Sequence, residues 1–354
     1  MSKIYNPNPN WYRGDFHAHT LVSPDGHHPP DEFAALAKAE GLDFVSMTDH
    51  NLIGGWDQVM EDIGILVMPG VEVTFFEGHW NVFPINGEES WLVGLSELYI
   101  EKMQVAQNMS NVTKIMKAAV LDNQLNSINH PCLPPWAWLF EETDLRDVHC
   151  VEIVNDPTFR GSKKHPSNLE ATIDAVAMWT RWLNAGHRIT AIGGSDYHGP
   201  HSGGGGYNPT ISQPATYVYA SELSVNGIIQ GLRQRRAYVA RVGQATFTAE
   251  TDNQIFDIGQ DMRQINGDVT FSGELQAFPQ GCTVRIIKNG DTVSETSTEG
   301  SATSINYEDS LVPDTPAWYR LEAVKPDGEY QLVTNPIFAG PQMVPTKNRY
   351  GDFL

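Results

Sequence analysis

WYRGDFHAHTLVSPDGHHPPDEFAALAKAEGLDFVSMTDH, residues 11–50, contains one complete structural unit. WYRGDF reads as a short strand that runs into the polar triplet His17-Ala18-His19. Pro30 and the acidic pair Asp31 and Glu32 open a helix that sets Phe33, Leu36 and Ala37 on one face and stops at Gly41. DFVSMTDH is a second strand, again ending in a histidine. A strand, a helix and a strand with imidazoles at both strand ends predict an α/β chain. Its polar residues gather at the C-terminal ends of the strands, where barrel enzymes build their sites.

Outward from this unit the alternation continues. ILVMPGVEVTF and HWNVFPI read as strands, followed by a helical stretch over residues 94–122, then NSINHP, VHCVEIVND, a helix over 168–185 and RITAIGGSDYH. TYVYAS and the helical SVNGIIQGLRQRR close the series near residue 241. Beyond it the texture changes to alternating β patterns in DVTFSGELQAF, TVRIIKNGDTVSE and WYRLEAVKPDGEYQLV. Asn289-Gly290 between β-branched runs signals a hairpin, and Pro326-Asp327-Gly328 signals another turn. The expected division is an α/β unit over 1–244, a β-sandwich over 245–342 and a C-terminal tail over 343–354.

The chain has 354 residues, 40% of them hydrophobic and 19% charged, which suits a folded globular protein with a sizeable core. Its formal net charge is -20, so sequence-independent binding to nucleic acid is not expected, because phosphate backbones are held by Lys and Arg. The three cysteines, Cys132, Cys150 and Cys282, are widely spaced, which points to a reducing compartment and a cytoplasmic location rather than a disulfide framework. The N-terminal MSKIYNPNPN has no apolar core of a signal peptide, although a leader already removed would leave the same sequence, and no run is long enough to span a bilayer.

The polar strand ends form an ordered set: His17 and His19, Asp25 in the following loop, His50, Glu72, His79, His130, Asp196 and His198. In an extended run His17 and His19 point to the same side. Six imidazoles and three carboxylates at one end of the molecule make poor packing material and good metal ligands. Imidazole with carboxylate suits Zn, Mn or Fe, and nine ligands exceed the capacity of one ion, so more than one divalent transition-metal ion is expected.

HAH, the SPDG loop, TDH, the glutamate of GVE, NHP and SDYH together resemble the PHP (polymerase and histidinol phosphatase) family over residues 11–241. GHWNVF after Glu72, and the later WYRLEA and TNPIF, are most similar to its CehA/McbA branch, named for carbamate-ester hydrolases. The resemblance implies a distorted (β/α)7 barrel carrying the C-terminal β-sandwich. It also implies a first metal on His17, His19, Glu72 and Asp196, a second on Asp25, His50 and His198, and a third on Glu72, His79 and His130. The implied activity is hydrolysis of a phosphomonoester or phosphodiester by water activated between the ions, with a carboxylic or carbamate ester as the alternative. Glu72, Asp196 and His198 would be catalytic, with His201 protonating the leaving group.

Other residues carry two readings. Arg160 and Lys163 clamp an anion or belong to a solvated loop; Trp80 and Trp136, with Trp138, wall a substrate pocket or pack in the core. Asp49 is expected to orient His50 from behind. His27 and His28 read as solvent-facing, and His149, His165 and His187 as packing or surface residues. The expected partner is a small ester or phosphoester, with no membrane. A non-catalytic, metal-stabilised binding protein is the competing class, and nine ligands argue against it because a structural zinc needs four.

Overall fold

A computed structural model describes residues 3–60, 63–92, 95, 109–155, 168–200 and 210–354. The opening unit forms as its sequence requires. Strand β1 (Asn10–Asp15) leads into helix α1 (Pro30–Ala39), which starts on Pro30 with Asp31 and Glu32 in its first turn and buries Phe33, Ala34 and Ala37. Strand β2 (Phe44–Met47) returns parallel to β1, and β3 (Leu66–Pro69) lies parallel to β2. On the other side of β1 run β9 (Ala215–Ala220) and β10 (Ala237–Ala240), both antiparallel to their neighbours.

A second sheet carries β4 (Val71–Phe75), β5 (Gly78–Phe83), β6 (Leu125–Ile128), β7 (Cys150–Val154) and β8 (Thr190–Gly193), in that order. Its parallel strands β6, β7 and β8 are buried along their whole length, as parallel strands covered on both faces must be. Helix α2 (Met109–Leu121) and helix α3 (Asn168–Asn184) cover this sheet; α3 sets Trp179 and Trp182 into the core, each contributing roughly 3 kcal/mol by burial. Helix α4 (Val225–Arg233) packs beneath β9, its first turn capped by the Ser224 side chain, which accepts from Gly227 N–H at 3.0 Å.

The two sheets meet at the histidine-bearing strand ends through isolated bridges, His50 with Glu72 and Ala18 with Tyr197. Among the described residues no continuous ladder closes the ring and four α-helices are present, so the distorted (β/α)7 barrel expected from the resemblance is not found closed. The reason is local. β4 and β5 are joined by a tight turn at Phe76-Glu77 into an antiparallel hairpin, with no room for a crossover helix. Gly78 sits at φ 147°, and a Cβ there would stand 2.6 Å from the Trp138 ring.

The C-terminal part is all β, as its alternation indicates. One sheet holds β11 (Gln244–Glu250), β12 (Ile255–Asp257), β14 (Gly267–Gln276) and β17 (Ala302–Leu311). The facing strands are β13 (Asp261–Met262), β15 (Thr283–Lys288), β16 (Asp291–Ser297), β18 (Ala317–Val324), β19 (Tyr330–Thr334) and β20 (Ile337–Ala339). This second layer is continuous with the first unit, because β19 pairs with β10. Residues 343–354 lie back on the α/β unit: Asn348 C=O accepts from Leu145 N–H at 2.7 Å, and Tyr350 meets Trp182 edge-on with ring centres 5.8 Å apart. Cys132, Cys150 and Cys282 are free thiols. No helix of the described residues is long and apolar enough to cross a membrane.

Candidate metal centre

All the ligand candidates but Asp25, which lies in the loop between β1 and α1, stand at or near a strand end. His17 and His19 follow β1, His50 follows β2, His130 follows β6, and Asp196 and His198 follow β8; Glu72 and His79 lie on adjacent strands of the hairpin. His130 and Asp196 have left-handed backbones, at φ 29° and 52°. For non-glycine residues this conformation costs of order 1–3 kcal/mol each and persists only where the surroundings impose it. They do: His130 N–H donates to Glu152 Oε2 at 2.9 Å, and Asp196 N–H donates to the His17 carbonyl at 2.8 Å.

Glu72 is the hub. It is fully buried, and its Oε1 lies 3.0 Å from His17 Nε2, 3.3 Å from His79 Nδ1 and 3.6 Å from His130 Nε2. Its Oε2 lies 2.6 Å from His50 Nδ1 and 3.7 Å from His19 Nε2. Asp196 Oδ1 sits 3.2 Å from His17 Nε2 and 3.1 Å from His19 Nε2. His19 stacks between His50 and His198, with ring centres 4.2 and 4.0 Å away. Asp25 Oδ2 closes the outer side at 3.4 Å from His50 Nε2 and 3.7 Å from His198 Nε2. Asp25 is 47% exposed, while His198 and Asp196 are each 19% exposed, so the cluster opens toward solvent on this side alone among its described members.

The donor atoms group in threes, each group within 4.8 Å: His17, His19 and Glu72; His50, Glu72 and His79; His17, His130 and Asp196; His19, His50 and His198. Eight of the nine expected ligands fall in these groups; Asp25 stands outside them, with its Oδ2 3.4 Å from His50 Nε2. The grouping differs from the set implied by resemblance, since His79 falls with His50 and His130 falls with Asp196.

The protonation pattern follows from burial opposed by neighbours. Burial works against ionising Glu72 and Asp196, but the imidazoles around them prevail and hold both well below the usual carboxylate range; Asp25 falls to about 2. Burial also opposes charging the rings, yet the carboxylates raise His17 and His130 above the ordinary value and His50 to about 10. Burial and neighbouring imidazoles push His19 and His79 down. The carboxylates thus favour the protonated form of His17, His50 and His130. Three buried ring nitrogens, His17 Nε2, His19 Nδ1 and His130 Nδ1, have no hydrogen-bond partner among the described residues. Nitrogen and carboxylate donors converging with no Lys or Arg beside them among the described residues fit divalent transition-metal ions.

The sequence reading missed the supports. Glu152 Oε1 accepts from His17 Nδ1 at 3.1 Å, which fixes the ring so that Nε2 faces Glu72 and Asp196. Asn129 Nδ2 donates to Glu72 Oε1 at 2.8 Å, and Asn155 Nδ2 donates to Glu152 Oε2 at 2.9 Å. The available signal was an acidic residue inside the apolar strand CVEIV. Asp49, expected to orient His50, bonds instead to the loop after β1. Its Oδ1 accepts from Thr20 N–H at 2.7 Å and Ser23 N–H at 3.2 Å, so it fixes the loop that carries Asp25.

Trp80 is not a wall of the site. It alternates with His79 on β5, so its ring faces the core, where it meets Phe75 and Trp138; Trp138 is buried with it. Trp136 is 40% exposed on the loop after His130. His28 Nε2 lies 3.0 Å from the Tyr197 hydroxyl, and His149 and His187 bond to backbone groups. Arg160, Lys163, His165 and His201 lie outside the described residues.

The sequence model of the PHP domain family matches residues 15–153, from the end of β1 to β7. No curated protein matches the chain. Among solved structures, a two-domain protein from Bacteroides vulgatus ATCC 8482, described as containing a predicted PHP-like metal-dependent phosphoesterase, superposes with TM-score 0.50 at 18% identity; the match covers 95% of this chain and 99% of that one. The shared feature is the two-part fold. A putative metal-dependent phosphoesterase from Bifidobacterium adolescentis ATCC 15703 matches with TM-score 0.41 at 17% identity, over 56% of this chain and 92% of that one. A lesion-specific endonuclease from Pyrococcus furiosus matches with TM-score 0.41 at 17% identity, over 63% of this chain and 56% of that one.

Proposed function

We propose that the chain is a metal-dependent hydrolase of the PHP kind, acting on a small phosphoester. The observation that carries this reading is the placement of Glu72, each of whose oxygens faces a different set of imidazoles, the disposition of a carboxylate that bridges ions. His17, His19, Asp25, His50, Glu72, His79, His130, Asp196 and His198 would hold two or three divalent ions. These would supply Lewis-acid activation of the phosphoryl oxygens and of an attacking water. The protein's own part is positional. Glu152 and Asn129 hold His17 and Glu72 in register, and the strained Asp196 turn presents its carboxylate and His198 at the open edge. Substrate approaches past Asp25 and His198, and His201 is our candidate for donating a proton to the leaving oxygen.

The test is a panel of chromogenic phosphomonoesters, phosphodiesters and aryl carboxylic or carbamate esters with metal-replete protein. Phosphoesters should turn over at least about tenfold faster in kcat/KM than aryl esters, a margin of about 1.4 kcal/mol. Faster turnover of the aryl esters would replace the phosphoester reading with a carboxylic or carbamate ester hydrolase on the same ligands.

A further inference from the structure

At the other end of β1 the chain forms a cleft that the metal centre does not use. Trp11 precedes His17 by six positions, roughly 20 Å along an extended strand. One wall is aromatic: the half-buried Trp11 leans on Tyr238 at 5.2 Å, and behind it the buried rings of Tyr238 and Tyr217 stack with centres 4.6 Å apart and planes 6° apart. The facing wall is the outer face of the β11–β14 pair. There Gln244 lies in register with Gln276, and Thr246 with Glu274. The alternate residues Ala245 and Phe247 turn into the core, so strand period alone sends the polar side chains into the cleft. These walls and Asn10 enclose a cavity of about 260 Å³, which continues past Tyr217, Gln244 and Gln276 into a second of about 450 Å³.

We propose that this cleft is a carbohydrate-binding site, taking a neutral sugar unit of an oligosaccharide. A pyranose ring has apolar C–H faces that lie against an aromatic ring and a rim of hydroxyls that both donate and accept. Asn10, Gln244 and Gln276 offer three amides with donors and acceptors, and Glu274 adds an acceptor. An anionic ligand fits less well, because the cations bordering the second cavity are engaged. Arg13 donates to the carbonyls of Glu40 and Ser212, and Arg241 donates to the Tyr330 carbonyl and pairs with Glu329. A quaternary ammonium would use the rings but leave three amides facing a group that forms no hydrogen bonds.

The site is tested by calorimetric titration of the full chain with cello-, xylo-, manno-, malto- and chito-tetraose and with choline. At least one tetrasaccharide should bind with Kd of about 1 mM or tighter, and Gln276→Ala, a change at an exposed strand position, should weaken it at least about tenfold with metal content unchanged. Trp11→Ala should weaken it further. Absence of binding by all the sugars at about 10 mM, binding indifferent to Gln276→Ala, or binding of choline alone overturns the assignment.

Discussion

Two buried charge clusters in this molecule are neutralised in opposite ways. Between α3 and the C-terminal sheet, Glu322 receives Arg320 at 2.6 Å and Arg285 at 2.7 Å, and Arg320 also lies over the rings of Trp179 and Trp318. Arginine completes that cluster within the protein. At the strand ends, Asp25, Glu72, Glu152 and Asp196 form no ion pair with Lys or Arg among the described residues; imidazoles face them, with the neutral amides of Asn129 and Asn155 beside Glu72 and Glu152. A ring nitrogen gives up its proton to a metal where a guanidinium does not. The first cluster is neutralised within the protein; the second would, in the proposed reading, exchange protons for cations.

The contrast can be broken most severely at Glu72. Glu72→Gln keeps the shape but removes the charge both sets of imidazoles face, and kcat/KM on the best phosphoester should fall at least about a thousandfold, equivalent to about 4 kcal/mol. A loss no greater than that of a His27 variant would remove Glu72 from the hub. Next in size, Arg320→Met should destabilise the fold by about 3 kcal/mol in urea unfolding, because Glu322 is left buried with one partner, while metal content stays that of the parent. Metal loss in that variant would show that the two clusters are coupled. Glu152→Gln should reduce metal affinity about 10–100-fold, measured by competition with a chelator, while leaving the fold intact.

The smallest effect sharpens the comparison through pH. His17, His50 and His130 hold protons more strongly than free imidazole, so metal must displace them and affinity rises with pH. Between about pH 6 and about pH 8, log affinity should climb by more than one unit per pH unit, since more than one proton leaves per ion. A flat profile would mean that the rings are neutral before metal binds.

The candidate ligands were legible because nearly all of them sit at strand ends, where an imidazole has no structural reason to recur. HAH, TDH, NHP and SDYH announced their strands and the side chains that gather there, and helix α1 was legible from Pro30, the acidic first turn and Gly41. Glu152 was hidden because one acidic residue in a buried strand keeps the strand pattern intact. Trp80 was misplaced because sequence proximity to His79 says nothing of face, whereas strand alternation assigns them to opposite sides. The hairpin at Phe76-Glu77 escaped notice for want of a usual turn pair. The continuity of β10 with β19 depends on pairing between segments nearly a hundred residues apart, which no local pattern encodes.

The central claim is that the strand-end cluster is built for more than one cation, and elemental analysis of protein expressed with ample metal tests it most directly. Two or three divalent transition-metal ions per chain is the expected result, with Glu72→Gln losing at least one of them. One ion or none per chain in the unaltered protein would contradict the account.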